Sequence, residues 1–183
     1  MQRCHQTTLS QDASNWMDHI MRVSEAVVFI TGANRGLGLA IAREARRQGA
    51  KKIYVGMRQI GSFQEEGLIP IQLDVNDEQS IRFAAEQCAD TTVLVNNAGI
   101  ALLNDHPVAA NIVATTQKIL ETNLLGLMRV TQIFAPILQK SQQAYVVNIL
   151  SDVSWEPSTF LTSYAISKAA AWSYTNSSRQ WLS

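Results

Sequence analysis

The chain has 183 residues, 15 basic and 15 acidic side chains, and a formal net charge of zero at neutral pH. That length suits one domain, whose core can bury roughly 70% of the surface of its unfolded chain, and the balanced charge gives no electrostatic case for a nucleic acid or an anionic membrane as partner. Cys4 and Cys88 are the only cysteines, which excludes a disulfide framework and suits a reducing, cytoplasmic setting with a small-molecule ligand.

In chain order, residues 1–24 are polar and mixed, with no apolar run that could form a signal-peptide core or a membrane span. They read as a flexible N-terminal extension or, given Met21, as a mis-assigned translation start. Residues 25–183 carry the fold. Short apolar runs at Ala26 to Thr31, Lys52 to Val55, Ile69 to Leu73, Thr92 to Val95 and Ala144 to Ile149 are predicted strands. Their continuous apolar character predicts burial on both faces, as in a parallel sheet. Between them, Leu37 to Gln48 has Leu37, Ile41 and Ala45 at helical spacing and ends at Gly49, a suitable C-cap. Asp77 to Cys88 opens with acidic residues and places Ile81, Ala84, Ala85 and Cys88 on one side. Ile112 to Gln139 reads as a long helix that Pro136 bends or shortens, and Tyr164 to Arg179 as the last helix. Alternating strands and helices predict a doubly wound α/β domain of three layers, helices on both sides of a parallel sheet.

Directly after the first strand comes TGANRGLG, Thr31 to Gly38, leading into a helix. Glycine lacks the Cβ that would keep a pyrophosphate off the backbone, and a helix N-terminus offers free N–H groups and partial positive charge. A dinucleotide fits such a turn. The spacing is not G-x-G-x-x-G, since three residues separate Gly32 from Gly36.

T-G-x-x-x-G-x-G resembles the cofactor motif of the short-chain dehydrogenase/reductase family, and further motifs follow in the family's order. The resemblance implies a Rossmann-type fold and an enzyme acting on CH–OH or C=O groups with a nicotinamide cofactor. It implies that Thr31, Gly32, Asn34, Arg35, Gly36, Leu37 and Gly38 form the cofactor turn. Asp74 and Val75 would lie beside the adenine, and Asn97, Ala98 and Gly99 of the Asn96–Gly99 run NNAG would line the site and steady the sheet.

An acid after the second strand would select NAD by accepting from the ribose 2′-hydroxyl. The strand instead runs on to Arg58, and Arg35 stands in the glycine turn. Two guanidiniums near one dianion favour a 2′-phosphate, so NADP(H) is expected ahead of NAD(H).

Tyr164 and Lys168 stand four apart, one helical turn, in SYAISK. A phenol beside an ammonium gives up its proton more readily and can exchange it with a substrate oxygen as hydride moves. Ser151, just past the fifth strand, could donate to a developing alkoxide. By resemblance, Asn123 in ETNLLG bends the long helix and holds a water in the proton path, completing a catalytic set of Asn123, Ser151, Tyr164 and Lys168; Tyr164 and Lys168 also contact the cofactor. His5, His19 and His106 make no metal pair. Trp155, Trp172 and Trp181 read as packing or interface residues, with Trp155 near enough to Ser151 to line a substrate pocket, and Asp152 as a turn cap.

Relative to the family, the chain is expected to lack the last strands and the loop that closes over substrate. The predicted fifth strand then has an open edge, and a homo-oligomer is expected. Two functions stay open: an NADP(H)-dependent oxidoreductase acting on a carbonyl or alcohol, and a catalytically silent dinucleotide-binding module that acts through cofactor binding or association with full-length relatives.

Overall fold

The computed structural model describes residues 21–103, 106–156 and 158–182. Cys4, His5 and His19 lie outside the described residues, as does the side chain of Trp181. Five parallel strands form one sheet in the order β3-β2-β1-β4-β5, with β1 at Val27–Thr31, β2 at Lys52–Met57, β3 at Ile69–Gln72, β4 at Val93–Asn96 and β5 at Tyr145–Asn148. Parallel register holds throughout, for example Phe29 opposite Tyr54 and Leu94. Pro70, which has no N–H for the ladder, sits in β3, an edge strand where that loss is tolerated.

The sheet has two unequal sides. On one, Phe29, Tyr54, Ile71 and Leu94 pack with α2 (Glu78–Gln87) and α4 (Leu127–Leu138) around Ile81, Val130 and Phe134. On the other, Val28, Ile30, Ile53 and Val55 pack with α1 (Gly36–Arg47) through Ala42, Leu39 and Ile41. No helix joins β2 to β3. The connecting loop buries Ile60 and Phe63 in part against the α1 side, and a two-point ion pair from Arg43 to Glu65 (2.6 and 3.0 Å) ties it to α1.

Two expectations change. Burial on both faces holds for β1, but β5 leaves Tyr145 (42%) and Val147 (43%) exposed, because the cluster under α1 takes in β1, β2 and Val95 of β4 but no residue of β5. The long helix is interrupted not at Pro136, which lies within the last turn of α4, but around Asn123, where the resemblance implied a bend: a π-turn, Glu121–Gly126, stands between α3 (Ile112–Leu120) and α4. The last helix, α5, is Thr162–Leu182. Met21 packs against the α1 side, and Thr92 Oγ1 donates to its sulfur at 3.7 Å. Among the described residues no helix is long and apolar enough to cross a membrane.

Candidate active site

Strand order reverses between β1 and β4, the position where open α/β sheets bind ligands at the strands' carboxyl ends. There β1 ends at Thr31, and the chain turns through Gly32 (φ 65°) and Gly36 (φ 57°) into α1. Both angles are left-handed and favour glycine. A Cβ on Gly32 would stand 2.9 Å from Ala98 Cα, and one on Gly38 would collide with the Asn97 side-chain amide, so these two glycines let the β1 and β4 loops touch. A Cβ on Gly36 would meet nothing within 4 Å. Its absence keeps space open in front of α1.

The N-terminus of α1 differs from that of α2. Asp77 caps α2 by accepting from Gln79 N at 2.9 Å, whereas Arg35, at the N-cap of α1, makes no side-chain cap bond. The first-turn N–H groups of α1 are thus left for an external acceptor, with the helix dipole behind them. Thr31 and Asn97 lock the turn that presents them. Buried Thr31 Oγ1 accepts from the backbone N–H of Asn97 (3.0 Å) and Ala98 (2.9 Å), and Asn97 Nδ2 donates to the carbonyls of Thr31 and Gly32, each at 3.0 Å.

Asn34, Arg35 and Leu37 are exposed on the rim of this turn, and Gly99 is exposed beyond β4. Arg58, Asp74 and Ser80 border a neighbouring cleft of about 550 Å³. Among the described residues, the ion pairs engage Arg43, Arg46, Arg47, Lys52, Arg82 and Arg129; Arg35 and Arg58 are among the cations outside these pairs. Asp74 has a local task, accepting from Asn76 N at 2.9 Å, and buried Val75 packs so closely on Gly126 that a Cβ there would lie 2.8 Å from it.

The other expected residues converge through α5. Lys168 is 5% exposed, its Nζ donating to the Ile149 carbonyl at 2.7 Å and standing 5.6 Å from the centre of the Tyr164 ring. Burial lowers the pKa of this ammonium from its ordinary value. Asn123 is buried in the π-turn; it accepts from Ile100 N (2.8 Å) and donates to Ile100 O (2.9 Å) and to Ser167 Oγ (3.0 Å). Ser167 in turn donates to the Tyr164 carbonyl at 2.7 Å. Tyr164, Lys168 and Asn123 are therefore joined through α5, and the Ile149 carbonyl brings in the β5 end two residues before Ser151. Ser151 Oγ donates to Asp152 Oδ1 at 2.8 Å.

Sequence reading missed the polar ladder that aims α5. Asn96 Nδ2 donates to Thr131 Oγ1 (3.0 Å) and to Asn148 Oδ1 (2.9 Å), and Asn148 Nδ2 donates to Thr175 Oγ1 (2.9 Å). The signal was an asparagine inside the apolar run AYVVNI: buried amides need partners. Ser167 was hidden between two conspicuous neighbours, Tyr164 and Lys168.

The family model for short chain dehydrogenases matches residues 26–183. The chain belongs to this family. It is similar to carbonyl reductase 3 (NADPH) of Homo sapiens, 38% identical over 138 residues that cover 68% of this chain and 48% of the relative. It is also similar to an NADP-dependent 3-hydroxy acid dehydrogenase of Schizosaccharomyces pombe, 29% identical over 87% of this chain and 66% of that one. A short chain dehydrogenase from Burkholderia cenocepacia, solved in complex with NADP, superposes with a TM-score of 0.82 at 29% identity, covering 88% of this chain and 68% of the other. The chain spans about half the length of the curated relatives it matches. The short-chain dehydrogenase fold gives the sheet its order and puts the glycine turn at its switch point.

Proposed function

We propose that this short-chain dehydrogenase is an NADP(H)-dependent oxidoreductase that interconverts a carbonyl compound and its alcohol. The observation that carries this is the buried Lys168 ammonium held beside Tyr164 on a helix anchored to the end of β5. Keeping an ammonium out of water is costly, and a structural role at the Ile149 carbonyl would not require a tyrosine one turn away.

The residues present fit the cofactor. Gly36 leaves the space in front of α1 clear, and the uncapped first turn of α1 offers N–H donors to a pyrophosphate. Arg35 and Arg58, outside every ion pair described, would take a 2′-phosphate, in keeping with relatives whose names specify NADPH or NADP. When bound, the nicotinamide supplies or accepts the hydride. In reduction, Tyr164 gives its hydroxyl proton to the substrate oxygen as hydride reaches the carbonyl carbon, and the C=O bond becomes CH–OH. Lys168, whose burial eases proton loss and whose Nζ stands 5.6 Å from the Tyr164 ring centre, is placed to return the proton to Tyr164. Ser151 steadies the oxygen by hydrogen bonding, and Asn123 holds the π-turn against α5 through Ser167. Assembly as a homo-oligomer is supported by the exposed apolar side chains on β5.

The test is NADPH oxidation by the purified chain against aldehydes and ketones, with cofactor binding titrated in parallel. Tyr164→Phe should lower turnover about 10²–10⁴-fold while cofactor affinity holds. Unchanged turnover in this variant would remove Tyr164 from the reaction. Cofactor binding by the unmodified chain, with no carbonyl reduced, would favour the silent binding module.

A further inference from the structure

We propose that the substrate mouth accepts uncharged, apolar carbonyl compounds and turns away those that carry a carboxylate, with Asp152 as the discriminating residue. The inference rests on the oxidoreductase reading above and names the substrate class of the same site.

Two loops at the carboxyl edge of the sheet flank the proposed reacting groups. Residues 99–103 follow β4, and residues 149–163 run from the end of β5 to the start of α5. Neither stretch contains a lysine or arginine, and the second contains Asp152 and Glu156. Asp152 is exposed, and its Oδ1 accepts from Ser151 Oγ at 2.8 Å and Val153 N at 2.9 Å. These bonds hold its carboxyl below the usual carboxylate range, so it is ionised at neutral pH. The Asp152 carbonyl accepts from Trp155 N and Glu156 N, each at 3.1 Å, so the backbone that carries the indole and a second acidic residue turns tightly after Asp152.

The same two loops carry large apolar side chains open to solvent: Trp155 is 65% exposed, Phe160 69% and Leu103 78%. Lys168 does not offset the acids at the surface, because its ammonium is buried and donates to the Ile149 carbonyl.

For Ser151 to donate to a substrate oxygen, its single hydroxyl proton must turn away from Asp152 Oδ1, which leaves the carboxylate 2.8 Å from Ser151 Oγ and beside the bound substrate. A carboxylate on the same small molecule then lies inside the Debye length, about 10 Å at 0.1 M salt, with no surface cation in these loops to compensate. An apolar substituent instead gains by covering Trp155, Phe160 and Leu103.

The test uses the full chain with NADPH and three aldehydes: benzaldehyde, 4-carboxybenzaldehyde and the methyl ester of the latter, which restores neutrality at similar size. The ester should exceed the acid in kcat/KM about tenfold or more at low salt, a difference of about 1.4 kcal/mol. The ratio should shrink in high salt. Asp152→Asn should cut it to about threefold or less, and Glu156→Gln should cut it by a smaller factor. The ratio is taken within each variant, so loss of folded protein does not enter it. An acid reduced as well as its ester, or a ratio unmoved by Asp152→Asn, would overturn the proposal while the oxidoreductase reading stands. No turnover of any carbonyl compound rejects that reading, and this inference with it.

Discussion

Val95 and Val147 are register partners in adjacent parallel strands, with the same side chain on the same side of the sheet, yet Val95 is 5% exposed and Val147 43%. One strand further in, Ile30 is fully buried. The glycine-turn end and the β5 edge are built from similarly apolar runs, and their difference lies in what covers them. Helix α1 closes the first, while the side of β5 that carries Tyr145 and Val147 has no helix over it among the described residues. An apolar run thus specifies a strand, but burial is a property of the layer above it.

The largest effect should come from placing a charge on the closed side of this pair. Val95→Lys puts an unpaired ammonium into the cluster of Val28, Ile30 and Val55, and an uncompensated buried charge costs about 3–5 kcal/mol. Chemical denaturation should find the variant destabilised by that order or unfolded. A loss below about 1 kcal/mol would mean that the layer over β4 is looser than the packing indicates, and the contrast with β5 would disappear.

A smaller effect, confined to binding, is expected at Arg58. It is exposed just past β2 and outside every ion pair described, so Arg58→Ala should leave folding stability within about 0.5 kcal/mol. Loss of a charge-assisted hydrogen bond should weaken NADPH affinity about ten- to hundredfold, with little change for NADH. Equal losses for the two cofactors would take Arg58 away from the 2′-phosphate and leave only the glycine turn as a binding feature of that end.

The same contrast explains what could be read from the residues. Strand and helix positions were legible because each apolar run is bounded by turn residues, and the glycine turn because its motif stands between a strand and a helix. The grouping of Tyr164 with Lys168 followed from four-residue spacing together with its place after the glycine turn, NNAG and Ser151. A bend at Asn123 was implied by the family resemblance; that it takes the form of a π-turn at Glu121–Gly126 depends on buried Asn123 bonding to Ile100 and Ser167, both remote in sequence. Two features were not legible. Open exposure of β5 depends on a missing neighbour, which no property of AYVVNI encodes. Engagement of Ser151 by Asp152 is a matter of rotamer, and the adjacent acid read only as a turn cap.

The smallest expected effect is at Val147 itself. Because its side chain is already 43% exposed on the outermost strand, Val147→Lys should change stability by no more than about 0.5 kcal/mol. A lysine on an edge strand also discourages pairing with another chain, so sedimentation or light scattering should show less self-association than in the unmodified protein. Stability and association then move separately, which is the behaviour of an uncovered surface. If Val147→Lys were instead as damaging as Val95→Lys, Val147 would have to be covered in solution, and the two ends of the sheet would differ in what covers them rather than in whether anything does.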